Sequence, residues 1–193
     1  MLPIQSEQQV IPTSVAFSNT NCLQSHVVQN ERLVRWFLSH GASPDAPAIN
    51  PAFTPVMSAA RYAPLSIVKL LYAHGASHHD VLQTAAESAA EGRLEVLEFL
   101  LDDGADINAV KWEHDHESFT SFGLLELGTA LHYAAKNGFA DKVELLLRRG
   151  ARAEVLDSTG KTALDLARAY GQDNTVKILS SLSPPGGKGK SLA

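Results

Sequence analysis

Apolar positions along this chain come in short bursts at helical spacing, each ended by a glycine. In residues 128–151, Leu131, Ala134 and Ala135 fall at i, i+3 and i+4. After a break at Asn137 and Gly138, Val143, Leu146 and Leu147 repeat that spacing. The pattern predicts two amphipathic helices of two to three turns. Gly138 and Gly150 end them by taking the left-handed conformation that closes a helix. Helices shorter than about 12 to 15 residues are marginal in water, so the apolar faces of this pair require neighbours.

The neighbours are written into the same chain. The second helix and its closing glycine recur as VRWFLSHGASPDA at Gly41, VKLLYAHGASHH at Gly75, VLEFLLDDGADINA at Gly104 and VELLLRRGARAEV at Gly150. The first helix recurs as TPVMSAARYA from Thr54, TALHYAAKNG from Thr129 and TALDLARAYG from Thr162. Weaker versions are DVLQTAAESAAEGR from Asp80 and NTNCLQSHVVQN ahead of the first glycine. Five units fit the chain. Paired alanines (Ala59 with Ala60, Ala134 with Ala135) allow first helices to approach closely, while Leu, Ile and Val of the second helices fill a wider outer layer. This difference in size curves the stack. Burying one leucine stabilises by roughly 1.5 to 3 kcal/mol, whereas ordering each residue's backbone costs about 1 to 2 kcal/mol. One unit therefore cannot fold alone, but a stack can.

These units resemble ankyrin repeats, whose signature is a T-P-L-H-x-A-A helix, a glycine turn, a V-V-x-L-L-L helix and G-A-D-x-N. The resemblance runs from about Thr20 to Leu182 and is most specific in the fourth and fifth units. In layout the chain is similar to short stand-alone fungal arrays. The resemblance implies an all-α solenoid of about five helix-turn-helix units with projecting hairpin loops. It also implies that Thr129 and His132 are a hydroxyl-imidazole pair tying a loop to the next helix. Met57 and Asp165 stand at the matching position of other units, which speaks against shared chemistry there. The organisation expected is an N-terminal arm over 1–19, repeats over 20–49, 50–79, 80–109, 124–156 and 157–182, an inserted loop over 110–123, and a flexible tail over 183–193.

The spacing of the closing glycines is uneven: 34 residues from Gly41 to Gly75, 29 to Gly104 and 46 to Gly150. The third unit enters its first helix almost directly, with Asp80 expected as N-cap. The fourth carries about thirteen extra residues, in the place where insertions into repeat proteins map to loops. Trp112, Phe119 and Phe122 lie there among Glu113, Asp115 and Glu117. Two readings stand: aromatic anchors in a charged rim, or a plug that folds back on the adjoining repeats.

Composition narrows the function. The 193 residues are 45% hydrophobic with a net charge of -5 and pI near 5.9, so there is no basic footprint for nucleic acid. The single cysteine, Cys22, excludes an internal disulfide framework and suits a reducing compartment. The first residues lack the basic and apolar regions of a signal peptide, and no apolar run is long enough for a membrane span. A cytoplasmic or nuclear location is expected.

Candidate chemistry is thin. His114 and His116 do not complete a tetrahedral zinc site, and the run from His78 to Asp80 is weaker still, since helix capping accounts for Asp80. Gly189-Lys190-Ser191 lacks the upstream glycine, strand and helix of a phosphate loop. No metal or cofactor is expected. A rigid concave stack favours recognition over reaction, so the expected function is a non-catalytic, monomeric scaffold or adaptor for another protein. The resemblance places contacts at loop tips and first-helix turns: Arg61, Tyr62, Glu91, Trp112, Tyr133, Lys136, Asn137, Ser158, Lys161 and Tyr170. Tyr62, Tyr133 and Tyr170 form an aromatic row or pack along the stack. Two alternatives remain: a metal- or small-molecule-dependent activity built on 110–127, and a piece of a longer array.

Overall fold

The computed structural model describes residues 29–46, 54–78, 80–89, 92–110 and 128–182. The first-unit segment up to Val28, Cys22, Glu91, the aromatic and histidine insertion from Lys111 and the tail from Ser183 lie outside them. Nine helices occur among the described residues: α1 (Glu31–Ser39), α2 (Pro55–Tyr62), α3 (Leu65–Tyr72), α4 (Val81–Glu87), α5 (Arg93–Asp102), α6 (Ala130–Lys136), α7 (Ala140–Arg148), α8 (Ala163–Ala169) and α9 (Asp173–Leu182). No strand is present among those residues.

Helix pairing follows the repeat. Each first helix packs on its own second helix, α2 with α3, α4 with α5, α6 with α7 and α8 with α9. The inner layer runs α2, α4, α6, α8, and the outer layer runs through α1, α3, α5, α7 and α9. The inner helices bury their alanines completely: Ala59, Ala60, Ala85, Ala86, Ala134, Ala135, Ala163 and Ala167 have no exposed surface. Leu71, Leu97, Leu100, Leu146 and Leu179 fill the outer layer and are equally buried, at 0 to 1%. The expected division between small and large residues is thus present in the fold.

Start signals behave as the residue types dictate. Asn30 accepts from Leu33 N at 3.2 Å and Thr54 accepts from Met57 N at 3.3 Å, each satisfying an orphan amide of a first turn. Asp80 departs from expectation. It occupies the N-cap position of α4 but is left-handed (φ 54°) and makes no side-chain cap bond; its carbonyl instead accepts from Thr84 Oγ1 at 2.7 Å.

The buried face of α7 is also rotated. Val143 and Leu146 are buried as expected, but Leu147 is half-buried, and the face is completed by Leu145 and Lys142. A charged side chain has thereby entered the core.

Loops fasten the first repeat to the second and the third to the fourth. The fourth residue after a closing glycine accepts from a backbone amide two residues after the next one: Asp45 Oδ2 from Ser77 N, and Asn108 Oδ1 from Arg152 N, both at 2.9 Å. This gives the last position of the G-A-D-x-N pattern, Asp45 or Asn108 here, a physical role.

Candidate partner-binding surface

The inner helices end in two different ways. In α6 the chain turns at Gly138 (φ 74°), and the orphan carbonyls of Ala135 and Ala134 accept from Gly138 N at 3.2 Å and Phe139 N at 3.0 Å. The turn after α8 repeats this, with Gly171 N on Arg168 O and Gln172 N on Ala167 O. Positive φ is easy only for glycine. The helices α2 and α4 have no such glycine; their C-caps, Ala63 and Ser88, are extended. A buried cation from the following repeat serves their carbonyls. Arg93 of α5 donates to Ala59 O at 3.3 Å, Ala60 O at 2.7 Å and Ala63 O. Lys142 of α7 donates to Ala85 O at 3.1 Å, Ala86 O at 3.3 Å and Ser88 O. Desolvation lowers both: Arg93 falls below the usual guanidinium value, and Lys142 is pushed down to about 8.

At the opposite end of the inner helices, one position does loop-fastening work. His132 Nδ1 accepts from Thr129 N at 3.1 Å and lies 2.9 Å from Thr129 Oγ1. An accepting Nδ1 puts the proton on Nε2, which donates to Lys161 O at 3.2 Å. Gly128 leaves the room needed, since a Cβ there would lie 2.8 Å from His132 Cβ. Asp165 reproduces only the local half of this arrangement, holding Thr162 N at 3.0 Å. Gln83 reproduces the other half, donating to Ala109 O at 2.7 Å. The position is structural, as the resemblance implied. Burial lowers the His132 pKa, opposed by the Lys161 carbonyl and by Asp157. Burial would raise the Asp157 carboxyl, but bonds from Lys161 N and from Thr159 hold it below the ordinary aspartate value.

The surface left over is where the expected contact residues stand. Tyr62 and Tyr170 occupy the same place, eight residues beyond Thr54 and Thr162, and are exposed by 50% and 46%. Tyr133 sits one turn earlier in its unit and packs half-buried against the core. The three therefore do not occupy equivalent positions of a row; Asn137, the C-cap of α6, stands at the matching place and donates to Tyr133 O at 2.8 Å. Arg61 pairs with Glu87 at 3.4 Å, joining α2 to α4, and its guanidinium lies 5.7 Å from the Tyr62 ring. Lys136 holds its amine 4.9 Å from the Tyr170 ring, a cation-π contact joining α6 to α8. Ser158 is exposed at a loop tip beside Leu156, itself 56% exposed. Lys161 closes that loop through its backbone, its carbonyl accepting from Asp157 N at 2.8 Å. Glu91 and Trp112 lie outside the described residues. Leu156, Glu87, Arg93 and Lys142 were not singled out from the sequence. Lys142 had a signal: it stands eight residues before its closing glycine, where the other units carry Leu33, Ile67 and Val96.

No group of three or more metal-ligating side chains converges among the described residues. His78 instead lies 3.5 Å from Asp103 and against the Tyr72 ring.

Stacked alanine-faced helix pairs, glycine turns and the threonine-histidine tie coincide with a family pattern. The family model for ankyrin repeats, in three copies, matches residues 22–111 and 114–186. The chain belongs to the ankyrin-repeat family. Curated relatives share this array within other contexts. The E3 ubiquitin-protein ligase hecd-1 of Caenorhabditis elegans is 37% identical over 98 residues, 51% of this chain and 3% of that protein. The putative E3 ubiquitin-protein ligase XBAT34 of Arabidopsis thaliana is 50% identical over 54 residues, 28% of this chain and 14% of that protein. Cyclin-dependent kinase inhibitor 2A of Monodelphis domestica is 34% identical over 113 residues, 48% of this chain and 66% of that protein. The ankyrin chain thus spans a small fraction of the two ligases and about two thirds of the inhibitor.

Proposed function

We propose that this ankyrin array is a non-catalytic scaffold that binds another protein along its inner helices and loop tips, in the cytoplasm or nucleus. The observation that carries the reading is the set of large side chains, Tyr62, Tyr170 and Leu156, left half-exposed at the ends of two inner helices and at a loop tip. Aromatic side chains dominate interface energetics because they bury a large area while losing little rotamer freedom. Lys136 and Arg61 flank two of them, so a partner with acidic and apolar groups side by side fits this surface. Ubiquitin transfer is not carried over from the two ligases, of which the matched segments are 3% and 14%.

The test is capture from native lysate on immobilised chain, quantified against Tyr170→Ala with Lys136→Ala and, separately, Tyr62→Ala. Loss of one partner at unchanged melting temperature supports the reading. Recovery of the same partner at full yield by all the variants removes this surface from binding.

A further inference from the structure

We propose that Lys142 makes the junction between the third and fourth repeats (α4 and α5 against α6 and α7) a proton-linked seam, where the stack opens locally and the amine takes up a proton as water reaches it. The placement is the argument. Eight residues before the closing glycine, the second and third repeats carry Ile67 and Val96, exposed by 1% and 0%. The fourth puts a lysine in that core position and exposes only 4% of it. Its amine is spent on the carbonyls of Ala85, Ala86 and Ser88, and no carboxylate lies within ion-pair distance of it among the described residues.

A neutral amine has two N–H groups and a charged one has three, so only the ammonium can serve all three carbonyls at once. Yet the ammonium is the form that burial disfavours. The charges around it are few. Asp141, adjacent on α7, favours the ammonium, and Arg93, from α5, opposes it. The Phe139 ring, 4.3 Å from Nζ, gives partial compensation. The Arg61 and Glu87 side chains at the ends of α2 and α4 are engaged with each other. Burial dominates, leaving the amine at about 8 against an ordinary 10.5.

Once the seam opens, Lys142 regains its ordinary value. Between those two limits opening is accompanied by proton uptake, so the junction opens more readily as pH falls through the window and closes tighter as it rises. The junction between the second and third repeats uses Arg93 for the same carbonyl-capping task. A guanidinium is more weakly hydrated than an ammonium and stays charged, so that junction carries no such linkage.

Hydrogen exchange read by mass spectrometry, corrected for the intrinsic rate and run from pH 7 to 9.5, tests the proposal. In wild type the opening constant for amides in the last turn of α4 and in α6 and α7 falls as pH rises, by a factor approaching tenfold per unit above pH 8. Amides of α2 and α3 show no such fall. Lys142→Arg and Lys142→Met both flatten the profile. A wild-type profile that is flat at this junction, one shared equally by every helix, or one retained by Lys142→Arg would overturn the proposal. Should the variants fail to fold, pulse acetylation of wild type with acetic anhydride decides. Labelling of Lys142 at the rate of the local opening supports the seam, and labelling only on global unfolding overturns it.

Discussion

Dividing the work of His132 between two substitutions measures what joins the fourth repeat to the fifth. The imidazole does two jobs: it caps Thr129, and it donates to Lys161 O at 3.2 Å in the next loop. His132→Asn retains an acceptor near Thr129 but is too short to reach the loop. The Lys161 carbonyl keeps its bond from Asp157 N, so the lost imidazole donor costs only the net worth of one hydrogen bond, about 0.5 to 1.5 kcal/mol. His132→Gln copies Gln83, which reaches Ala109 O, and loses the cap, at a cost of about 1 kcal/mol. His132→Ala loses both and leaves a void, so a loss of about 2 to 4 kcal/mol is expected. For a domain of this size each kcal/mol lowers Tm by about 2 to 4 °C. Thermal and urea unfolding followed by circular dichroism should show Gln and Asn damaged to similar extents and Ala the most. The acid limb gives a second readout. Burial depresses the folded-state value of His132 below 6.5, so the unfolded chain takes up a proton that the folded chain refuses. Stability linked to this group is complete above pH 6.5 and declines below it, by at most about 1.4 kcal/mol per pH unit. All three variants remove that contribution. An alanine variant within 1 °C of wild type, as an order-of-magnitude threshold against the shift above, or an acid limb of unchanged slope, would refute this division of labour.

Three further outcomes follow from the same contacts. Leu146→Asp places a carboxylate where no surface is exposed, a penalty comparable to a domain's whole stability of about 5 to 15 kcal/mol; loss of helical circular dichroism at 25 °C checks it. Gly138→Ala forces a Cβ onto a left-handed residue and into the Gln172 side chain, so a loss of about 1 to 2 kcal/mol is expected in urea titrations, with weaker exchange protection at the start of α9. Glu87→Gln breaks the Arg61 pair at a half-exposed site and should shift urea stability by less than about 1 kcal/mol; a larger loss would show the pair to be a structural tie between α2 and α4.

The stack itself was legible because its determinants are short-range and repeated. Closing glycines, threonine caps and alanine pairs each report a local requirement, and the recurrence of the same local requirement specifies the neighbour. Lys142 was not legible in that way. Read along α7 alone, Asp141-Lys142 looks like a solvated start to an amphipathic helix, and the apolar stripe through Val143, Leu146 and Leu147 accounts for the pattern. Only alignment with Ile67 and Val96 shows that a core position carries a charge. The carbonyls that hold it belong to α4, 54 to 57 residues away. At Asp80 residue type favours a cap, but the backbone there is left-handed and the side chain makes no cap bond.

The exceptions to the repeat form one compensating set. Where a glycine follows the inner helix, at Gly138 and Gly171, backbone amides cap the last carbonyls, and among the described residues no buried arginine or lysine other than Arg93 and Lys142 occurs. Where that glycine is missing, after α2 and α4, a long cation from the next repeat supplies the donors. An altered turn in one repeat is thus answered by a polar residue in the core of its neighbour, two changes that a repeat-by-repeat reading would treat as unrelated. A nearest-neighbour stack makes this possible, because each junction contributes its own stability. The central junctions, fastened by desolvated cations, are also where a substitution that preserves shape can change opening without changing the outline of the surface that a partner meets.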